Sequence, residues 1–122
     1  MVFLEGYITS NLEPKIKNIF LIGTKDNIEL ETMLDTCFNG EFCLPRKYKD
    51  SCELQVMGSE KFELADGSIV EQEIYFGQIL INNQPYFVEI CLTDAEGALI
   101  GMGLLQDKIA VFDLKKNKIV VE

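Results

Sequence analysis

Hydrophobic and polar residues alternate along most of this chain, which is the pattern of strands that bury one face of a sheet. The alternation is clearest over residues 2–9, 15–22, 28–34, 74–81 and 86–92. Successive side chains of a strand point to opposite faces, so each stretch predicts one strand with a buried and an exposed side. The pattern therefore predicts a mostly β protein.

Short segments rich in glycine, asparagine and charged residues separate these strands and predict the turns. The Asp-Gly pair is the strongest of these signals, because both residues accept the backbone dihedrals of a tight hairpin. A second hairpin is predicted to close the chain, with strands over residues 108–114 and 119–122. The predicted turns are residues 23–27, Asp66-Gly67, Asn82-Asn83, 94–97 and 115–118.

Two segments lack a clear period of two. Residues 45–57 fit a short helix or a loop equally well, and residues 98–106 are the better candidate for a short helix. The chain of 122 residues is predicted to form a single domain over residues 1–122. Its expected architecture is a small β-barrel or sandwich with at most one or two short helices.

Charge and hydropathy exclude several classes of function. Eleven basic residues against 20 acidic ones give a net charge of −9, which argues against a nucleic-acid partner because phosphate binding needs a basic face. The longest apolar run, Ala98 to Leu105, is far shorter than the roughly 20 residues that span a membrane. The first residues carry no basic leader, so we expect a cytoplasmic protein that does not bind a membrane.

The residue types present limit the available chemistry. The chain has no histidine, which removes every imidazole-based mechanism. Its four cysteines form no Cys-x-x-Cys pair, so no metal site is expected, and in the cytoplasm they should be thiols. Carboxylates, lysines and thiols remain as the candidate reactive groups.

The segment Asp35-Thr36-Cys37 is the strongest candidate for chemistry. It follows the apolar end of a predicted strand and precedes a turn, and the chain has one such triplet. A carboxylate in that position is either a functional group or a strand-end residue whose side chain caps the turn. We take Asp35 as the candidate catalytic residue and keep turn capping as the alternative.

Several short sequence motifs, in their order along the chain, resemble those of the retropepsin-like (clan AA) aspartic proteases. Leu34-Asp35-Thr36, with Leu44-Pro45 downstream, is similar to the family's active-site loop, and Ala65-Asp66-Gly67 lies where its flap hairpin is found. Leu99-Ile100-Gly101, followed by residues 102–105, is similar to its hydrophobic-hydrophobic-glycine segment and C-terminal helix. The resemblance covers most of the chain and extends to the small single-domain prokaryotic members. It implies a closed β-barrel with one lobe per chain.

The resemblance also implies an aspartic endopeptidase that needs no cofactor. In that family two aspartates face each other across a two-fold axis and share one proton, because neighbouring like charges cannot both ionise cheaply. This chain has one Asp-Thr site, so the implied enzyme is a homodimer with Asp35 opposite its own copy, Thr36 bonded across the axis and the chain ends paired between subunits. The residues implied to contact a peptide or protein substrate are Asn39, Ala65, Asp66 and Gly67.

Departures from the family pattern keep other functions open. Cys37 stands where the family has glycine, and a side chain there would crowd the substrate or require dihedrals that a non-glycine residue resists. Asn39 and Met102 replace the aspartate and arginine that pair in retroviral members, so no unpaired charge is left behind. The alternatives to a peptidase are a non-catalytic dimeric peptide-binding module and a protein gated by oxidation of Cys37.

Overall fold

The computed structural model describes all 122 residues, and twelve strands joined in one sheet dominate it. Two 3₁₀ helices, Arg46–Ser51 and Met102–Leu105, are short, and no helix is long and apolar enough to cross a membrane. The prediction of a mostly β fold with one or two short helices is confirmed. The strands are β1 (Leu4–Ile8), β2 (Pro14–Ile16), β3 (Ile19–Leu21), β4 (Ile28–Glu29), β5 (Thr32–Leu34), β6 (Phe42–Pro45), β7 (Gln55–Glu63), β8 (Ile69–Ile81), β9 (Gln84–Thr93), β10 (Ala98–Ile100), β11 (Ala110–Asp113) and β12 (Lys118–Val121).

The sheet curls around one apolar core. Its strands follow the order β11-β12-β1-β2-β5-β10-β6-β9-β8-β3-β4, and β7 pairs with the outer part of β8. Strand β1 alternates between buried and exposed residues, whereas all four residues of β6 are buried because this strand lies in the middle of the sheet. The largest fully buried side chains are Phe42, Leu4, Ile19, Leu21, Leu44, Ile79, Ile81, Ile90, Ile100 and Ile119.

Two stretches predicted as single strands are each divided in the structure. Residues 15–22 form β2 and β3, separated at Asn18, whose φ of 60° lies in the left-handed region and cannot continue a strand. Residues 28–34 form β4 and β5, because the chain changes partner: β4 pairs with β3, and β5 pairs with β2 and β10. The period of two located these segments correctly but could not show the change of partner.

The helix predicted over residues 98–106 is wrong in its first half. Ala98–Ile100 is strand β10, which lies between β5, its parallel neighbour, and β6, its antiparallel neighbour. A helix here would leave the backbone groups of both neighbours without partners. Helical structure begins only at Met102, after Gly101 has ended the strand.

The chain ends pair within one chain and not, as expected, between subunits. Leu4 of β1 lies opposite Val121 of β12, and β12 pairs with β11 on its other side. Strands β1 and β12 therefore find backbone hydrogen-bond partners on both sides within one chain, and β11 lies at the edge of the sheet. Val111 and Phe112 of this edge are exposed.

The hairpin predicted at Asp66-Gly67 is confirmed and is the longest in the structure. Strands β7 and β8 run antiparallel from Gln55 opposite Phe76 out to Glu63 opposite Ile69. Gly67 has a φ of +84°, which explains why glycine occupies the turn. Strand β8 begins five residues before the predicted start at Ile74, because its outer half pairs only with β7 and is exposed, so it lacks the apolar alternation.

Candidate active site

Asp35 is the first residue after β5, and two buried strands fix its backbone. Leu34 lies beside Ile100 of the parallel strand β10, and both side chains are buried in the core. The Asp35 N–H donates to the Ile100 carbonyl at 2.9 Å. The carboxylate is therefore attached to a rigid strand end and is itself partly exposed.

The Asp35 side chain closes the turn that follows it. The Cys37 N–H donates to Asp35 Oδ1 at 2.9 Å, and the Phe38 N–H donates to the Asp35 carbonyl at 3.2 Å. This is an Asx-turn, in which a carboxylate stands in for a backbone carbonyl. The bond uses Oδ1 and leaves Oδ2 available. Turn capping and a chemical role are thus compatible in this side chain.

The loop after Asp35 rests on the backbone of residues 101–103. The N–H groups of these residues donate to three loop carbonyls: Gly101 to Glu41 at 3.1 Å, Met102 to Phe38 at 2.8 Å and Gly103 to Gly40 at 3.0 Å. The two backbones are so close that a Cβ on Gly101 would overlap the Gly40 carbonyl oxygen and lie 2.7 Å from that of Phe38. The close packing predicted for these glycines is confirmed.

Cys37 occupies its position without backbone strain. Its φ is negative, so the residue does not need the left-handed conformation that would favour glycine. The expected conflict with a non-glycine backbone is therefore absent. The side chain is exposed and lines the neighbouring groove, so its effect on a bound peptide would be steric.

A groove of about 580 Å³ lies between this loop and the outer part of the long hairpin, near its tip. Residues 37–42 of the loop form one wall, residues 60–63 of β7 form the other, and Ile74 with residues 89–91 forms the floor. Both Cys37 and Asn39 line it. Among the other predicted site residues, Thr36 is exposed beside the groove, whereas the hairpin tip lies outside its wall.

The hairpin tip, formed by Ala65, Asp66 and Gly67, has its own turn chemistry. Asp66 Oδ1 accepts hydrogen bonds from the Ser68 N–H at 2.9 Å and from the Ser68 hydroxyl at 2.6 Å. These bonds, with the hydroxyl first, lower the pKa of Asp66. The tip residues are exposed and none of them lines the groove, so any contact they make with a peptide would require the hairpin to bend over it.

The groove is acidic, which the sequence pattern did not indicate. Four glutamates and one lysine line it: Glu41, Glu60, Glu63, Glu89 and Lys61. The Glu89 N–H donates to Glu41 Oε1 at 2.8 Å and holds that carboxylate at the wall. These residues come from separate segments that only the pairing of β7, β8 and β9 brings together. An excess of negative charge of this kind attracts cationic ligands.

Other parts of the surface offer less chemistry. A larger open depression of about 860 Å³ lies at the turn over residues 22–24 and the base of β7, and it contains no residue of the Asp35 loop. No group of three or more cysteine, aspartate or glutamate side chains is arranged to hold a metal ion.

Solved structures with a similar fold include a retropepsin-like aspartic protease, a viral protease and a retroviral protease-like domain. A retropepsin-like aspartic protease from Rickettsia conorii superposes with a TM-score of 0.64 and 15% identity, over 96% of this chain and 87% of that one. The Simian Foamy Virus protease gives 0.54 and 13%, over 76% and 90%. The retroviral protease-like domain of Ddi1 from Leishmania major gives 0.50 and 15%, over 85% and 87%.

No protein-family model and no curated protein sequence matches this chain. At identities of 13–15% the structural matches establish the fold alone. The chain has a retropepsin-like fold, as the resemblance in the sequence implied.

The contact between the loop and Gly101 generates a prediction about stability. Gly101→Ala should lower the free energy of unfolding by about 1–3 kcal/mol, because its Cβ would force the two backbones apart. Urea denaturation followed by circular dichroism measures the change. The control is Gly67→Asn, at a position with open space where asparagine tolerates a positive φ. Equal stability of Gly101→Ala and wild type would contradict the packing described.

Proposed function

We propose that this protein is an aspartic endopeptidase whose catalytic centre forms between two copies of Asp35 in a homodimer. The observation that carries the proposal is the position of Asp35. It follows a buried strand of a retropepsin-like fold, with one carboxylate oxygen available beside an open groove. A rigidly held carboxylate next to a peptide-sized groove is the arrangement that acid–base hydrolysis requires.

The chemistry follows from two carboxylates held close together. Like charges at short distance raise the pKa of one member, so the pair keeps one shared proton. The ionised Asp35 removes a proton from a bound water, and the protonated copy donates to the peptide carbonyl oxygen as the water attacks its carbon. One chain supplies one such group, so the second must come from another copy. Thr36, exposed beside Asp35, would hydrogen-bond with its own copy.

The groove suggests which peptides would be preferred. An extended segment lying between the Asp35 loop and β7 would contact Asn39 and pass four glutamates with one lysine as their counter-charge. Peptides that carry lysine or arginine near the cleaved bond should therefore bind better than acidic ones. The exposed hairpin tip at Asp66-Gly67 would close over the bound segment as a flap.

Cys37 supports a second candidate function, a non-catalytic dimeric module that binds peptides in the same groove. Its side chain lies where the resemblance leads us to expect glycine, and it lines the groove. The two functions differ in how peptide cleavage responds when the Cys37 side chain is removed. A peptidase should cleave faster, whereas a binding module should still not cleave.

Peptide cleavage tests the proposed function. We expect purified protein to cleave a mixture of unstructured peptides within roughly pH 3.5–7.5, the range in which a dyad could hold one shared proton. Asp35→Asn should slow cleavage by about a hundredfold or more, because the amide keeps the Asx-turn acceptor but transfers no proton. The matched control is Asp50→Asn, which changes an exposed carboxylate on the first 3₁₀ helix and should cleave normally.

The Cys37→Gly variant completes this experiment. It should cleave faster than wild type because the groove beside Asp35 becomes wider. If both proteins are folded and dimeric and neither cleaves any peptide, the peptidase proposal is wrong and the binding module replaces it.

The proposed dimer makes a second prediction, at Met102. Its side chain is 45% exposed although apolar, and its N–H is bound to the Phe38 carbonyl of the Asp35 loop. Bringing two such loops together would bring both Met102 side chains toward the axis. Met102→Lys should therefore raise the dimer dissociation constant about tenfold or more, through repulsion between like charges.

Sedimentation equilibrium measures that constant. The matched control is Met57→Lys on β7, where the methionine is 55% exposed but distant from the loop in the chain. A dimer that Met102→Lys leaves unchanged would show that the two copies meet elsewhere, and a wild type that is active as a monomer would refute the shared site.

A further inference from the structure

We propose that Cys43 and Cys91 are a modification site: a dithiol that a hydroperoxide oxidises to an intrachain disulfide in the floor of the groove. This inference does not depend on the proposed peptidase activity. It rests on the placement of two sulfur atoms that neither the fold comparison nor the catalytic proposal uses.

The two cysteines are direct neighbours on parallel strands. Cys43 of β6 lies opposite Cys91 of β9, and their Sγ atoms are hydrogen-bonded at 3.0 Å. Adjacent strands are about 4.8 Å apart, which falls within the Cα separations of roughly 4.4–6.8 Å that disulfides span. The sulfurs need to approach by about 1 Å to reach a bond length of about 2.05 Å.

The pair differs from the other two cysteines of the chain. Cys43 and Cys91 are each 7% exposed, so their sulfurs are shielded from large reagents, whereas Cys37 is exposed and Cys52 is half-buried. Cys91 lines the groove, so a small oxidant that enters the groove can reach its sulfur. Cys43 lies outside the groove lining, with its Sγ atom 3.0 Å from that of Cys91.

The hydrogen bond between the sulfurs prepares one of them to ionise. Once Cys91 ionises, the Cys43 thiol donates this hydrogen bond to its thiolate, which lowers the pKa of Cys91, although burial and the charge of Glu60 oppose this change. The same hydrogen bond and then burial raise the pKa of Cys43, with a smaller contribution from Asp35. Cys91 is therefore the attacking thiolate and Cys43 the thiol that resolves the intermediate.

The oxidation takes place in two balanced steps. The Cys91 thiolate attacks hydrogen peroxide, an S–O bond forms as the O–O bond breaks, and the leaving hydroxide takes a proton to become water. Cys43 then attacks the sulfur of the resulting sulfenic acid, an S–S bond forms, the S–O bond breaks and a second water leaves. Two thiols and one peroxide give one disulfide and two waters, and a dithiol reductant reverses the change.

The disulfide would join the groove floor at Cys91 to the neighbouring strand β6 at Cys43. Cys43 and Cys91 form a small apolar cluster with Ile74, and Phe38 of the Asp35 loop and Phe62 of β7 pack against it. A covalent bond between β6 and β9 at this point acts directly beneath the residues that form the two walls. The modification site thus lies where a change in packing reaches the groove.

Mass spectrometry of full-length protein tests the inference. The reduced protein is treated with hydrogen peroxide, its remaining thiols are alkylated in denaturant, and it is digested without reduction; cleavage after Glu41 separates Cys43 from Cys37. We expect a protein lighter by two hydrogen atoms before alkylation, with two alkylated cysteines in place of four, and a linked pair of peptides that contain Cys43 and Cys91. Dithiothreitol should restore all four thiols.

Variants provide the controls. Cys37→Ser and Cys52→Ser should still lose two hydrogen atoms, whereas Cys43→Ser should not, and its Cys91 should instead be trapped by dimedone as a sulfenic acid. The inference is overturned if treated wild type keeps Cys43 and Cys91 as alkylatable thiols, or if its disulfide maps to Cys37 or Cys52. Neither result depends on peptide cleavage, so the peptidase proposal is judged separately.

Discussion

The close approach of two backbones, at Gly101 and at the loop after Asp35, is the constraint on which the rest of the site depends. Three N–H groups of residues 101–103 hold three loop carbonyls, and the space between them has no room for a side chain on Gly101. The loop in turn positions Asp35, whose own N–H is fixed by the Ile100 carbonyl. One short segment therefore supports both the carboxylate and the loop wall of the groove.

This support exists because β10 lies between β5 and β6. The chain leaves β5 at Asp35, passes over the end of β10 and returns as β6, so the loop must cross the residues that follow Ile100. Strand β6 then continues the sheet to β9 and the hairpin strand β8. The carboxylate, the acidic groove and the Cys43–Cys91 pair are thus consecutive features of one stretch of sheet.

The strands, the hairpin and the fold could be predicted from the sequence because each is indicated by residues that are close together in the chain. Periodicity found the strands, the Asp-Gly pair found the hairpin, and the landmarks around Asp35 and Gly101 indicated the fold that the structural matches support. Features that depend on long-range pairing could not be found in this way. The prediction of a helix at β10 was wrong because its conformation is set by two neighbouring strands. The acidic groove and the contact of Cys43 with Cys91 likewise arise only when β6, β7 and β9 are assembled.

The central claim is that one catalytic centre needs Asp35 from two copies, and a mixing experiment tests it most directly. Wild-type protein is allowed to exchange subunits with an equal amount of Asp35→Asn, and peptide cleavage is compared with that of the same wild-type protein alone. The mixture holds twice as many dimers as the wild-type sample, and random pairing leaves a quarter of them with two aspartates. The number of active dimers is therefore halved, and the predicted cleavage rate is about half of the original. An unchanged rate after demonstrated subunit exchange would show that each Asp35 works alone and would contradict the account.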